Sequence, residues 1–284
     1  MKDLLPLCLK TMEAAFEGSR LPEIWIPSPG IPFKHSPGAL FHAFPEIFFQ
    51  LSATNQFECP GHSHGLKAGE ICIMPAGVPH RETGHGHPFS AFVIVHDARR
   101  FVLLEMRCAE GQKPWVIPVG TYPVANGRQL ADLLSETANS FLRESLVAEH
   151  LFRSYLGLVI ETIYASDGAD DSGISPIVSK CMSLLFAEMT SEDLTLGGIA
   201  QRLNCNADSL SARFSREVGQ TAMEYLANLR IERARGLLEE GVMTISEIAW
   251  SCGYRDPNYF SRLFKKRIGI TPSQFRNQSA AKLA

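Results

Sequence analysis

The spacing of apolar positions changes character along the 284-residue chain. Between about Gly30 and Val124, short apolar or aromatic runs alternate with Gly and Pro: Ala39–Phe44, Glu46–Leu51, Glu70–Met74, Phe89–Val95 and Trp115–Val119. Runs of about 4–8 residues separated by turn signals predict an all-β sandwich or barrel. From Asn126 the period becomes helical. Leu130, Leu133, Leu134, Thr137 and Phe141 share one stripe, and Leu151, Phe152, Tyr155, Leu158, Val159 and Tyr164 share another. These predict a helical pair over residues 126–165, whose apolar faces cover either the barrel or a second copy of the chain. Residues 166–173 are small and acidic, which marks a linker and a domain boundary.

The remainder, 174–284, is helical and contains one pattern written twice. Ile199-Ala200, Leu210, Phe214, Gly219, Thr221 and Tyr225 recur as Ile248-Ala249, Phe260, Phe264, Gly269, Thr271 and Phe275. The offset is 49 residues at the start and 50 from Leu210 onward, so the second copy has one extra residue in its turn. Each copy reads as a short helix, a tight turn and a second helix: Leu196–Leu203 then Ala207–Val218, and a second pair turning at Gly253 before Asn258–Ile268. Local signals support this reading. Ser175 followed by Pro176 predicts a cap and a first helical residue, Asn206 and Asp256 predict caps, and Thr221/Glu224 and Thr244/Glu247 have capping-box spacing. Two such units are what a protein needs to set two helices in successive major-groove segments.

Composition narrows the function classes. No apolar run approaches the roughly 18 residues needed to cross a bilayer, and Pro6, Lys10 and Glu13 break the leucine-rich start before it resembles a leader. A cytoplasmic location and no membrane partner follow as expectations. The seven cysteines are scattered without a C-x-x-C pair, and read as reduced thiols. The formal net charge of −3 hides an asymmetry. From Ile174 onward there are 14 Lys and Arg against 11 Asp and Glu, net +3, whereas the preceding 173 residues hold 13 against 19, net −6. Any nucleic acid therefore belongs with the back of the chain.

Two resemblances follow from the motifs. Gly69–His80 contains a strand followed by Pro75-x-Gly77-x-x-His80, which resembles the second motif of the cupin barrel. Glu247-Ile-Ala249, Gly253-Tyr254, Phe260-Ser-Arg-Leu-Phe-Lys265 and Gly269-Ile-Thr-Pro-Ser-Gln-Phe-Arg276 resemble the DNA-binding domain of the AraC/XylS family of bacterial transcription regulators. That resemblance implies an α+β multidomain chain: a cupin-like effector-binding β-barrel over 1–125, a helical dimerisation element over 126–165, a linker, and a seven-helix double helix-turn-helix domain over 174–284. The implied partners are double-stranded DNA, a small-molecule effector, a second copy of the chain and RNA polymerase, with no cofactor and no catalytic residue.

Mapped onto this sequence, the resemblance implies that bases meet Asp208, Ser209, Ala212 and Arg213 in the first copy, and Arg255, Asn258, Ser261 and Arg262 in the second. Arg216, Lys265 and Lys266 flank them. Ala212 stands where the family often has arginine, and Thr221-Ala222 where it has Thr-Pro, so the second copy is expected to be the stronger reader. Arg230, Arg233 and Arg235 read as packing or salt-bridging residues. In the front half, His42, Phe44, Glu46, Phe48, His80 and Trp115 are the candidate effector pocket, with Phe33 and Phe41 as further aromatic candidates. His42 and Glu46 with His80 approximate the His/Glu/His set of metal-binding cupins, and His85 and His87 lie nearby in sequence, but His62-Ser-His64 lacks the glutamate that follows the H-x-H pattern, so no metal is expected. A metal-dependent enzyme fused to a DNA-binding module, and a regulator without a small effector, remain as rival readings.

Overall fold

The computed structural model describes residues 4–27, 44–59, 62–83, 87–96, 100–112, 114–124, 126–166, 174–241 and 243–283. Phe33, Phe41, His42, His85, most of the Ala39–Phe44 run and linker residues 167–173 lie outside them. The chain divides into two compact units, with the change at Ile174.

The first unit begins with helix α1 (Leu5–Glu17) and strand β1 (Ile24–Trp25). Eight strands follow: β2 (Glu46–Ser52), β3 (Thr54–Cys59), β4 (His62–Lys67), β5 (Ile71–Met74), β6 (Arg81–Thr83), β7 (Phe89–His96), β8 (Arg100–Cys108) and β9 (Trp115–Pro123). Helices α2 (Gly127–Leu142) and α3 (Ala148–Ser166) complete it. The strands form two sheets, ordered β1-β5-β2-β7-β8-β9 and β4-β3-β6. The sequence reads as a barrel, but among the described residues the larger sheet stays open, with β1 and β9 at its edges.

Alternation on β2 explains how the layers assemble. Ile47 and Phe49 point to one side, where they join Ile71, Ile73, Phe92, Ile94, Leu103 and the inner faces of all three helices in one buried cluster. Phe49 and Phe92 stack at 4.3 Å between ring centroids. The helical pair therefore covers the sheet of its own chain. α1 shares this cluster through Cys8, Leu9, Met12 and Ala15; Pro6 sits in its first turn, where a missing N–H costs nothing. Glu46, Phe48 and Gln50 point to the other side, toward the smaller sheet, where Phe48 meets Phe57 at 5.0 Å. Both faces of the central strand are thus buried, which is why β2 lacks the exposed polar face of an ordinary antiparallel strand.

The second unit consists of α4 (Pro176–Ala187), α5 (Leu196–Arg202), α6 (Ala207–Val218), α7 (Ala222–Glu240), α8 (Ile245–Ser251), α9 (Pro257–Ile268) and α10 (Pro272–Leu283). Both capping boxes form, Thr221 with Glu224 and Thr244 with Glu247. Asn206 accepts from Ser209 N, and Asp256 from Asn258 N. Ser175 departs from expectation: its side chain makes no capping bond, and its N–H donates to Glu217 Oε2 at 2.8 Å. Phe260 and Phe264 pack with Ile248, Ala249, Leu237 and Leu238 into one cluster. Among the described residues no helix is long and apolar enough to cross a membrane.

One buried polar bridge ties α3 to the large sheet. His96 Nδ1 lies 3.0 Å from Pro45 O, and Tyr155 Oη lies 2.9 Å from His96 Nε2. A carbonyl only accepts, so Nδ1 carries the proton and the tyrosine hydroxyl donates to Nε2. Both residues are buried. Tyr155→Phe removes this donor inside the core and is expected to cost about 1–3 kcal/mol, measured as a lower denaturant midpoint; an unchanged midpoint would show that the bridge adds nothing.

Candidate nucleic-acid interface

The two helix-turn-helix units start from the same local problem: the second helix must leave the first at a sharp angle. In each unit a single left-handed residue makes that turn, Asn204 with φ 52° after α5 and Gly253 with φ 75° after α8. Asparagine tolerates this region because its side chain bonds locally. Gly253 has a second reason, because a Cβ there would lie 2.7 Å from Met189 O. From these residues the first turn needs Cys205 and Asn206 before its helix, and the second needs Tyr254, Arg255 and Asp256.

α6 buries Leu210 and Phe214, four residues apart, and this leaves Asp208, Ser209, Ala212, Arg213 and Arg216 exposed. Arg213 Nε and Arg216 Nη2 lie 4.0 Å and 3.6 Å from the same Glu217 oxygen. The Ser175 backbone N–H holds the Glu217 carboxyl below its usual range, with the Ser175 side chain, Arg213 and Arg216 adding to that effect against a desolvation penalty. The arginines of α6 therefore stand beside a retained negative charge.

α9 has the same inner pair, Phe260 and Phe264, and a different outer face. Asn258, Tyr259, Arg262, Lys265, Lys266 and Arg267 are exposed. Arg262, Lys265 and Lys266 make no ion pair among the described residues. Ser261 is half-buried, and its hydroxyl donates to Pro257 O at 2.8 Å. Arg267 is held by Asn228 of α7. Arg255 stands apart from this face, with Nε 2.9 Å from Glu192 Oε2 and Nη2 on Asp193. Tyr259, exposed beside Asn258, was not singled out by the sequence; its only signal is position, one residue before a core phenylalanine.

The remaining arginines of the unit are internal fasteners. Arg230 donates to Met189 O and Ser191 O at 2.6 Å and 2.7 Å, and Arg233 donates to Ser251 O at 3.1 Å. Arg235 pairs with Glu232, and Arg276 reaches Met243 O.

In the first unit the structure brings together Glu46, Phe48 and His80 of the candidate effector residues, and adds Glu82. His80 Nδ1 donates to Val78 O at 3.0 Å, which turns Nε2 toward Glu46 Oε2 and Glu82 Oε1, each 3.5 Å away. Burial alone would lower the imidazole pKa, but the hydrogen bonds and charges of Glu46 and Glu82 prevail and raise it to about 10. Gln50 Oε1 and Asn55 Oδ1 are buried without a hydrogen-bond partner among the described residues. Phe44 is half-buried ahead of β2, whereas half-buried Trp115 stands on edge strand β9, three strands from β2. His64 stacks on Trp25 at 4.4 Å, His62 meets the same ring edge-on, and His87 is exposed. No group of three or more His, Cys, Asp or Glu side chains arranged to hold a metal ion occurs among the described residues.

Residues 199–278, which run from α5 into α10, match the family model described as a helix-turn-helix domain. The chain is 30% identical over 175 residues to the HTH-type transcriptional activator RhaR of Escherichia coli O139:H28, and equally to that of Shigella boydii serotype 4. These alignments take in 61% of this chain and 60% of each relative. Among solved structures, the C-terminal domain of AraT, a response regulator from Geobacillus stearothermophilus, is 35% identical, with TM-score 0.36, over 37% of this chain and 87% of that one. The C-terminal domain of the two-component response regulator yesN from Fusobacterium nucleatum is 32% identical, with TM-score 0.33, over 34% and 93%. The matched model spans both turns and both second helices, so residues 199–278 are a helix-turn-helix domain, similar to that of these transcription activators, and the chain spans about 60% of the length of the relatives it matches.

Proposed function

We propose that this chain is a sequence-specific DNA-binding transcription regulator, not an enzyme, in which α6 and α9 enter successive major-groove segments of double-stranded DNA. The observation that carries the reading is the outer face of α9: Arg262, Lys265 and Lys266 are exposed and uncommitted on a helix whose inner face is fixed by Phe260 and Phe264. Lys265 and Lys266 contact phosphates, while Arg262 and Asn258 read base edges, Arg262 as a bidentate donor to guanine. Ser261 offers its oxygen as an acceptor. Asp208, Ser209, Ala212, Arg213 and Arg216 form the face of the first reader, where Ala212 is suited to a thymine methyl.

Residues 1–125 form a cupin-like sensor in this reading, 126–165 a dimerisation element, 166–173 a linker and 174–284 the DNA-binding domain. Exposed Leu142, Leu146, Val147 and Leu158 on and between α2 and α3 favour a homodimer. The buried polar groups between the two sheets, Glu46, Gln50, Asn55, His80 and Glu82, favour a small-molecule effector there, because an apolar interior with a few polar groups is the usual makeup of a ligand site. As a transcription activator the chain would also meet RNA polymerase.

Duplexes selected by the full chain from a random library test the DNA reading. Arg262→Ala is expected to lower affinity for the selected sequence by about 1–3 kcal/mol, with the loss confined to one base position. Equal weakening on every duplex would rule out base reading by Arg262. Lys265→Ala is expected to weaken all duplexes alike and to reduce the slope of log K against log salt by about 1.

His80 gives a pH test of the inter-sheet site. Its folded pKa of about 10 exceeds the ordinary value of 6.5, so the protonated ring stabilises the fold fully below pH 6.5 and ceases to do so as pH rises through 10. Thermal unfolding of wild type should exceed that of His80→Gln most below pH 6.5, and the gap should close toward pH 10. A gap independent of pH would refute the paired imidazolium.

A further inference from the structure

The segment that joins α4 to α5 lies on the turn of the other helix-turn-helix unit, and three separate contacts hold it there. At the centre, the Arg230 guanidinium of α7 donates from Nε to Met189 O at 2.6 Å and from Nη2 to Ser191 O at 2.7 Å, and its other side covers the Tyr254 ring at 5.2 Å. Beneath it, the backbone approaches so closely at Gly253 that a Cβ would meet Met189 O at 2.7 Å and Arg230 Nη2 at 2.8 Å. On the outside, Arg255 pairs with Glu192 and Asp193. Tyr254 and Arg255 belong to the second turn, which is one residue longer than the first, where Cys205 alone lies between Asn204 and Asn206.

This segment ends at Thr195, whose side chain accepts from Gly198 N and caps α5. The first helix of the first unit therefore starts from a point fastened to the turn of the second unit. The chain from α6 to α9 runs through α7, α8 and the second turn, and each junction along it is a place where the two outer helices could rotate or bend relative to each other. A fastening that closes the loop from α5 back to the second turn removes that freedom.

We propose that residues 189–193, with Arg230 and Arg255, form a strap that fixes the placement of α6 relative to α9, so that Arg230, Glu192 and Asp193 set the permitted spacing between the two DNA segments without touching DNA. Arg255 is a positioning residue in this arrangement; its guanidinium is directed to the strap and not to a base. The inner fastener dominates. Exposed ion pairs contribute little, whereas the Arg230 fork makes two charge-assisted bonds and a ring contact in a mostly buried setting.

The proposal rests on the DNA-binding reading, and one selection experiment separates the two. The full-length wild-type chain, Arg230→Lys, Arg255→Ala and Glu192→Gln/Asp193→Asn are each used to select duplexes from a random library, and the distance between the two conserved blocks is read by sequencing. Wild type is expected to prefer one spacing over those one base pair longer or shorter by about tenfold, the discrimination of a single good base contact. Arg230→Lys is expected to lose most of that preference, and the two outer variants a smaller part, with the bases within each block unchanged. If Arg230→Lys fails to fold, the surface double variant decides the matter. Strict wild-type spacing in every folded variant overturns the strap. Loss of preference at one base pair in Arg255→Ala overturns the positioning role of Arg255. A wild-type chain that selects no sequence defeats the DNA-binding reading itself.

Discussion

The second unit depends on one backbone constraint applied twice: a residue in the left-handed region that turns a short helix sharply into a longer one. Asn204 and Gly253 satisfy it with different chemistry. Asparagine needs only a tolerant side chain, but Gly253 must also admit Met189 O where a Cβ would sit. Everything around the turns serves to hold the emerging helix. The caps Asn206 and Asp256 satisfy its first N–H groups, the pairs Leu210/Phe214 and Phe260/Phe264 fix its rotation, and Gly219 and Gly269 end it at φ 76° and 90°. The faces presented outward are the remainder of that arithmetic, which is why residues that touch nothing in the fold can be assigned at all.

That same logic explains what was legible in the sequence. Helices α6 to α9 are specified by signals within a few residues of one another, so their starts are read from Asn206, Thr221, Thr244 and Asp256 with an error of a residue or so. α2 and α3 are legible for the same reason. The sheets are not. β3, β4, β6 and β8 carry His, Glu, Asn or Gly at positions that only long-range pairing makes strand-like, as in Phe57 opposite both His64 and Glu82. The role of His80 at the end of its turn is written locally, but its partners Glu46 and Glu82 come from two different sheets, and no spacing rule connects them. The strap is illegible for a further reason. Its principal bonds run from Arg230 to the backbone carbonyls of Met189 and Ser191, and a carbonyl leaves no trace in a sequence.

Charge shows how far composition misleads. The net of +3 from Ile174 onward suggests a weak electrostatic footprint, yet net charge is not what a phosphate backbone meets. Arg202, Arg230, Arg233, Arg235, Arg255, Arg267 and Arg276 are each committed to a carboxylate, a carbonyl or an amide of the same unit. Arg213 and Arg216 lie beside Glu217, and Arg262, Lys265 and Lys266 gather on the exposed face of α9. A few cations gathered on a rigid element at a groove's width are worth more to DNA recognition than many spread over a surface, because their counterion release is simultaneous and their geometry is already set.

The outer faces of α6 and α9 are consequently unequal. Among the described residues Arg262, Lys265 and Lys266 of α9 make no ion pair, whereas α6 presents Arg213 and Arg216 beside Glu217, whose other oxygen holds Ser175 N at the start of α4. That carboxylate cannot leave without uncapping a helix of its own unit, so it stays next to any phosphate the arginines approach. It offsets part of their attraction while keeping them oriented. In the proposed DNA complex this carboxylate and the small side chain of Ala212 would make α6 a reader by shape and methyl contact, and would leave most of the anchoring to α9. Such a division would work only if the weak reader were delivered to a fixed place by the strong one, which is the part proposed for the fastening of the α4–α5 segment to the second turn.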